Sequence, residues 1–482
     1  MKLALASLAL LSAGPLTAHP VEELAFTFEA DSGEQVAAFR GTIEVPENRN
    51  DPESRNITLS YVRFPATGDA PGSPIIYLAG GPGGSGSATA EGDRFPLFMS
   101  MRQHGDVIAF DQRGTGASTA LPRCTSSVVP SQTEALSDER YAELYRTAAK
   151  ECAAVWRSEG VDLRGYTTPE SVRDLSALRE HLGAERIVLW GISYGTHLAL
   201  AALNTIPKEI DRAILASAEG LDQTVKLPWH TDAYFARLQV AIDEQPAARA
   251  LYPDIAGTIR RVHARLDSEP LMLEIVPPQS KPYLLLLQRR HLQALASRLI
   301  ADPQTAAIML ALYRSLDQGE TELVTGLLGA FSSEGMPITL APMSTAMDVA
   351  SGISDKRLAL FNQQEETGLL GGYLNFPMPH LRRVWPDLEL GKDYRDGPHS
   401  DTPVLLLSGT LDGRTYPEEQ GEAVAGLTDV TSIVIKGAGH NLFMASPAVS
   451  ETIHRFMLGE SQERDVIEVE VPDLTALPGW AS

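Results

Sequence analysis

The stretch Arg186-Ile187-Val188-Leu189-Trp190-Gly191-Ile192-Ser193-Tyr194-Gly195-Thr196 decides how the rest of this 482-residue chain is read. Residues 186–190 form a short apolar run closed by a glycine-bearing turn, the pattern of a buried strand. A helical pattern begins near Thr196. Between strand and helix sits G-x-S-x-G, and that context turns a common match into a nucleophile elbow. A serine hydroxyl is a weak nucleophile until a base takes its proton, and so sharp a turn exposes it where a base can reach. Gly191 and Gly195 spare the turn two side chains that would clash. Ser193 is the candidate nucleophile.

Working outward, residues 74–78 read as another buried strand, followed by Ala79-Gly80-Gly81-Pro82-Gly83-Gly84-Ser85-Gly86. A glycine-rich turn in that place can aim backbone N–H groups at a developing oxyanion, so the amides of Gly81 and Tyr194 are the candidate oxyanion hole. The competing reading, a phosphate-binding loop, lacks the Walker lysine and is interrupted by a proline. Downstream, the apolar run 404–407 leads into Ser408-Gly409-Thr410-Leu411-Asp412-Gly413, and Asp412 is the candidate acid. Glu219 or Asp222, after the strand at 212–217, could fill that role instead. Residues 431–436 form the last strand pattern, followed by Gly437-Ala438-Gly439-His440-Asn441; His440 is the candidate base among eleven histidines. His181, His197 and His454 fall within or at the ends of helical patterns and read as structural. The chain order Ser193, Asp412, His440 is that of α/β hydrolases.

The same pass gives the organisation. Runs at 41–45 and 57–64, separated by Pro46-Glu47-Asn48-Arg49-Asn50-Asp51-Pro52, predict a hairpin or meander. Strands at 74–78, 106–110, 186–190 and 212–217 alternate with helical patterns, which predicts a mostly parallel sheet with helices on its faces. Residues 222–400 show helical periodicity and little strand character, with the clearest helices at 232–251, 255–266 and 289–316. Strands resume at 402–408, so the long region reads as a cap inserted between sheet strands. The expected division is 1–18 signal peptide, 19–221 core, 222–400 helical cap, and 401–482 the rest of the core, with an acidic, proline-punctuated surface extension from about residue 461.

Residues 1–18 have a positive start at Lys2, an apolar run from Leu3 to Leu11 and a small residue, Ala18, at the cleavage point. These features predict export to the periplasm or the medium. The run is too short to span a bilayer, and no later segment suits stable membrane insertion. Cys124 and Cys152 are the two cysteines; in an oxidising compartment they could bridge, and the alternative is two buried thiols. Hydrophobic residues make up 43% and charged residues 21%, an ordinary globular balance. A formal charge of −22 opposes nucleic acid as a partner. No metal-ligand spacing occurs, and the proposed chemistry needs no metal or organic cofactor. The sequence carries no signal for oligomeric state.

Gly80-Gly81-Pro82-Gly83-Gly84, Asp111-Gln112-Arg113-Gly114-Thr115-Gly116-Ala117-Ser118 and Gly191-Ile192-Ser193-Tyr194-Gly195 together resemble the prolyl aminopeptidase and tripeptidyl aminopeptidase family of α/β-hydrolase serine peptidases. The resemblance covers about residues 41–220 and 402–459. It implies the α/β-hydrolase fold, cleavage of short peptides from a free N-terminus, and a helical cap limiting access. Asp111 and Arg113 are read as fixing the turn beside the site. Ala79 stands where prolyl aminopeptidases often carry histidine; with the export signal and cap length, this favours the tripeptidyl type. A substrate ammonium requires a carboxylate partner when desolvated, and Glu219, Asp222, Asp348, Glu365 and Glu366 are the candidates. The alternative function is an esterase acting on a non-peptide acyl group, since fold does not decide substrate.

Overall fold

The computed structural model describes residues 23–278, 281–331 and 335–477, so the expected signal segment lies outside the described residues. In chain order the strands are β1 (Glu23–Glu29), β2 (Gln35–Pro46), β3 (Asn56–Phe64), β4 (Ile75–Leu78), β5 (Val107–Asp111), β6 (Cys124–Thr125) and β7 (Ile187–Ser193). They continue with β8 (Ile210–Ala218), β9 (Leu271–Ile275), β10 (Tyr283–Leu287), β11 (Thr339–Leu340), β12 (Val404–Gly409), β13 (Val430–Lys436) and β14 (Val466–Glu468).

Ten of them build one sheet in the order β1-β2-β3-β5-β4-β7-β8-β12-β13-β14. From β5 through β14 every pair is parallel, and β1 to β3 form the antiparallel meander that joins β5. The apolar runs are continuous because both faces are covered: every residue of β4, β5 and β12 is buried. One apolar core carries Tyr77, Trp190, Leu405 and Phe443 on one face; the other carries Leu78, Leu189, Leu198 and Leu406. Parallel pairing also brings the C-terminal ends of β4, β7, β8, β12 and β13 to a single edge. The chain leaves β4 for β5 on one side and returns to β7 on the other, so β4 and β7 flank a topological switch point, where open α/β sheets bind ligands.

Between β8 and β12 the chain is mostly helical, with three differences from expectation. The helix expected over 232–251 is two, Pro228–Asp243 and Pro246–Leu251, and that over 289–316 is Arg289–Leu299 followed by Pro303–Asp317. In both cases a proline without an amide hydrogen opens the second helix, a position it tolerates. Strand character is greater than expected: β9 and β10 form an antiparallel pair that buries Leu273, Ile275, Leu285 and Leu287, and β11 pairs with β6. The acidic extension is not merely superficial, since β14 joins the sheet and Leu474 is buried against the cap helices.

The layer over the strand ends also draws on residues before β7. Cys124 and Cys152 are joined with their Cα atoms 5.5 Å apart, tying β6 to the helix Asp138–Ser158. Around them Trp156, Tyr166, Leu340, Met347 and Trp385 form a separate apolar cluster. Among the described residues no helix is long and apolar enough to cross a membrane.

Candidate active site

Ser193 ends β7 and precedes the helix Tyr194–Thr205 at φ 55° and ψ −128°. Backbone held there by a residue other than glycine costs about 1–3 kcal/mol and persists only where the surroundings enforce it. The enforcement is tight packing: a Cβ on Gly195 would lie 2.0 Å from the Leu78 carbonyl oxygen. Thr196 Oγ1 donates to the Ser193 carbonyl at 2.6 Å and accepts from the Glu219 amide at 2.8 Å, stitching the elbow to the end of β8. Ser193 Oγ has no hydrogen-bond partner among the described residues.

The glycine-rich turn lies directly against the elbow, for a Cβ on Gly80 would meet the Ser193 Cβ at 3.1 Å. Gly81 adopts φ +125°, open to glycine and rarely to other residues. Its amide has no acceptor among the described residues, and the Tyr194 amide stands in a first helical turn, where N–H groups lack intrahelical partners. Asp111 anchors the turn: its carboxylate accepts from Ser85 Oγ (2.7 Å), Ser87 Oγ (2.7 Å) and the Ser87 amide (3.0 Å). Arg113 is fully buried, bound to Asp174 at 2.6 Å and to the carbonyls of Glu47 and Gly165.

Across the edge, His440 Nδ1 lies 3.0 and 2.9 Å from the two Asp412 oxygens. Asp412 also accepts from the Arg414 amide (2.7 Å), the Thr415 amide (2.9 Å) and Thr415 Oγ1 (2.7 Å). Burial opposes its charge, but His440 and these donors outweigh burial and hold the carboxyl below its ordinary pKa. With Asp412 ionised, Nδ1 carries the hydrogen and Nε2 is left as the basic nitrogen. The His440 backbone is pinned by Ser217 Oγ, donating to its carbonyl at 3.0 Å, and by its amide, donating to the Ala301 carbonyl at 2.9 Å. Of the alternative acids, Glu219 pairs with Lys226, and Asp222 accepts from the Ser354 amide at 2.7 Å.

A cavity of about 160 Å³ opens at the elbow, bounded by Gly81, Pro82, Ser193, Glu219, Lys226, Asp348, Asn375, Phe376, Arg414 and Thr415 among others. Two of the five carboxylates considered for an amine, Glu219 and Asp348, therefore share a wall with Ser193. Asp222, Glu365 and Glu366 are not on that wall. Burial, reinforced by the nearby Glu219 and only partly offset by Lys226, pushes the Asp348 carboxyl up to about 8. Sequence reasoning misses Lys226, Asn375, Arg414 and Thr415. Arg414 and Thr415 have the clearest available signal, following Asp412 by two and three residues. No group of three or more metal-ligating side chains occurs among the described residues.

A family model described as alpha/beta hydrolase fold matches residues 73–447. The serine protease Hip1 of Mycobacterium tuberculosis (strain ATCC 25618 / H37Rv) is 31% identical over 194 residues, 38% of this chain and 36% of its own length. The tripeptidyl aminopeptidase of Streptomyces lividans is 29% identical over 193 residues, 37% of this chain and 34% of its own. The chain thus spans about a third of the length of these curated relatives. Among solved structures, a proline iminopeptidase-related protein of Thermus thermophilus is 19% identical, covering 87% of this chain and 97% of its own, at a TM-score of 0.36. The family match takes in β4 through β13, the glycine-rich turn, the elbow and the loops bearing Asp412 and His440. This chain belongs to the alpha/beta hydrolase fold family.

Proposed function

We propose that this protein is an exported serine aminopeptidase that cuts short peptides from a free N-terminus through an acyl-enzyme. One observation carries the reading: Ser193, on its strained elbow, shares a small cavity with the carboxylates of Glu219 and Asp348. A desolvated ammonium needs such partners, whereas a neutral acyl group gains nothing from them. Lys226 offsets Glu219, so an arriving ammonium finds its principal uncompensated partner in Asp348 and favours the ionised form of that carboxyl.

In the reaction Ser193 Oγ attacks the scissile carbonyl while His440 Nε2 takes the hydroxyl proton. The amides of Gly81 and Tyr194 donate to the resulting oxyanion, each such donor being worth about 3–4 kcal/mol. The C–N bond then breaks as protonated His440 gives its proton to the leaving amine. Water adds to the ester with His440 again as base, releasing the acid and restoring Ser193. Asp412 keeps His440 in the useful tautomer and stabilises its charged form. Proton transfer requires Ser193 Oγ within hydrogen-bond reach of the imidazole, a contact that commonly tightens only with substrate in place.

Export is supported by the bridge between Cys124 and Cys152, since disulfides persist in oxidising compartments. The tripeptidyl type is favoured over the prolyl type by the residue at position 79 and by the cap. The cavity supports a second reading of the step size. Its carboxylates line the same small cavity as the nucleophile, which favours release of one or two residues.

A digest of a peptide library, free and N-acetylated, read by mass spectrometry tests the function and reports the step size. Cleavage confined to free N-termini is expected. Equal cleavage of acetylated peptides would remove the exopeptidase reading, and ester turnover with no amide turnover would leave the esterase.

A further inference from the structure

We infer that Arg414 holds the free carboxylate of a short peptide on the leaving side of the scissile bond, so that the enzyme favours peptides with both termini free. The inference rests on the peptidase reading and names what that site selects.

Arg414 is held by its backbone and by neutral oxygens alone. Its amide donates to Asp412, and Nη1 donates to the carbonyls of Ser297 at 3.0 Å and Leu374 at 3.4 Å. Among the described residues no carboxylate lies within ion-pairing distance of its guanidinium, and Nε and Nη2 have no acceptor. A partly buried cation in that state is a poor use of an arginine in a chain with 62 acidic residues, unless an anion arrives from outside.

The place is suited to one. Arg414 stands where the Ser193 cavity meets a second chamber of about 300 Å³, and the two share Leu374, Phe376 and Arg414 as walls. The second chamber is faced by Tyr141, Tyr145 and Tyr373. Arg290 adds further positive charge, stacked 4.7 Å from the Tyr141 ring centroid and bonded to the neutral acceptors Leu136 O and Gln288 Oε1. Asp138 accepts from the Tyr373 hydroxyl at 2.8 Å and lies 3.5 Å from Arg289. The two adjoining spaces are therefore lined differently: Glu219, Asp348 and Lys226 stand near Ser193, Arg290 and aromatic rings stand beyond Phe376, and Arg414 lies on the wall common to both. A peptide whose ammonium meets Asp348 and whose carbonyl meets Ser193 sends its next residue toward Arg414. A planar guanidinium with two open donor positions matches a carboxylate.

The test measures kcat/KM for peptides of two to five residues, each as free acid and as C-terminal amide. For the shortest peptides wild type should prefer the acid by about tenfold to a hundredfold, the range of a charge-assisted hydrogen bond. R414Q should lower acid turnover far more than amide turnover, bringing the ratio near one, and R414K should restore part of it. Thermal unfolding and fluorophosphonate labelling of Ser193 establish that each variant is folded. Ready cleavage by wild type with equal rates for acid and amide overturns the inference alone. So does an R414Q loss that is the same for both forms. Cleavage of no peptide in either form overturns the peptidase reading and this inference with it.

Discussion

The strand-end loops and the helical layer above them contribute to the same cavity in different ways. Ser193, Asp412 and His440 each lie within four residues of the end of a parallel strand, in turns fixed by dense backbone contacts. Asp348, Asn375 and Phe376 come from the helix Pro342–Ser351 and from an irregular stretch beyond it, held to the core by side-chain bonds such as Lys226 N–H to Asn375 Oδ1 at 2.8 Å. On the proposed reading, the sheet edge carries the groups that acyl transfer needs, while the upper layer carries groups that recognise one substrate over another. Damage below should therefore abolish every activity, and damage above should change which molecules are cut.

The largest effect expected is that of S193A, a loss of about 10⁶-fold in kcat on peptides and esters alike. Substantial ester turnover surviving in S193A would mean that the chemistry resides elsewhere and would dissolve the comparison. D412N comes next, with a loss of about 10⁴-fold because the imidazole is left in the wrong tautomer. Its effect should be equal on ester and amide. A loss confined to peptides would show that Asp412 serves recognition.

The same division explains what can be read from the sequence. Ser193, Asp412 and His440 announce themselves because each follows an apolar run within a glycine-bearing turn, a purely local signal. Asp348 emerges only as one of five carboxylates, since nothing near Met347 or Val349 tells which acid faces Ser193; that depends on how helices 150 residues away settle on the sheet. Phe376 and Asn375 have no signal, for they lie in a stretch without periodicity. The helical region reads too simply for a related reason: the alternation in β9 and β10 is short and sits between long helical patterns, and Pro246 and Pro303 sit inside otherwise continuous helical periodicity. Glu219 is a sequence candidate, but its pairing with Lys226, seven residues on, depends on the path the chain takes beyond β8.

A smaller effect, and a sharper one, is expected at Asp348. Burial pushes its carboxyl up to about 8, and a peptide α-amine titrates at about 7.7–8.0. Affinity for a non-hydrolysable peptide bearing a free amine should rise as pH climbs toward 8, as Asp348 ionises. It should fall beyond that as the amine loses its proton. D348N should remove the rise and weaken binding by about tenfold near pH 8, which calorimetry across pH 6–9 would measure. Stability moves the other way. Because the fold favours protonated Asp348, the contribution of this group to wild-type stability should decline between the carboxylate range and pH 8, and D348N should be spared that decline. A binding profile unaltered by D348N would take the ammonium away from this residue.

The smallest effect on catalysis is expected from C124S/C152S. The bridge closes a loop with a sequence separation of 28, worth about 3–4 kcal/mol on the chain-entropy view. Neither cysteine touches the cavity, so ester turnover at 25 °C should stay close to wild type while the thermal midpoint drops by several degrees. The bridge lies in the cluster that contains Met343, Met347 and Val349, the apolar residues of the helix that carries Asp348. Its removal should loosen the upper layer first. As temperature rises, discrimination between free and N-acetylated peptides should decay before ester turnover does, because the sheet-edge loops stay packed while the carboxylate above them drifts. Simultaneous loss of both would mean that layer and sheet unfold as one unit, and the separation between recognition and chemistry would then be one of position without independent stability.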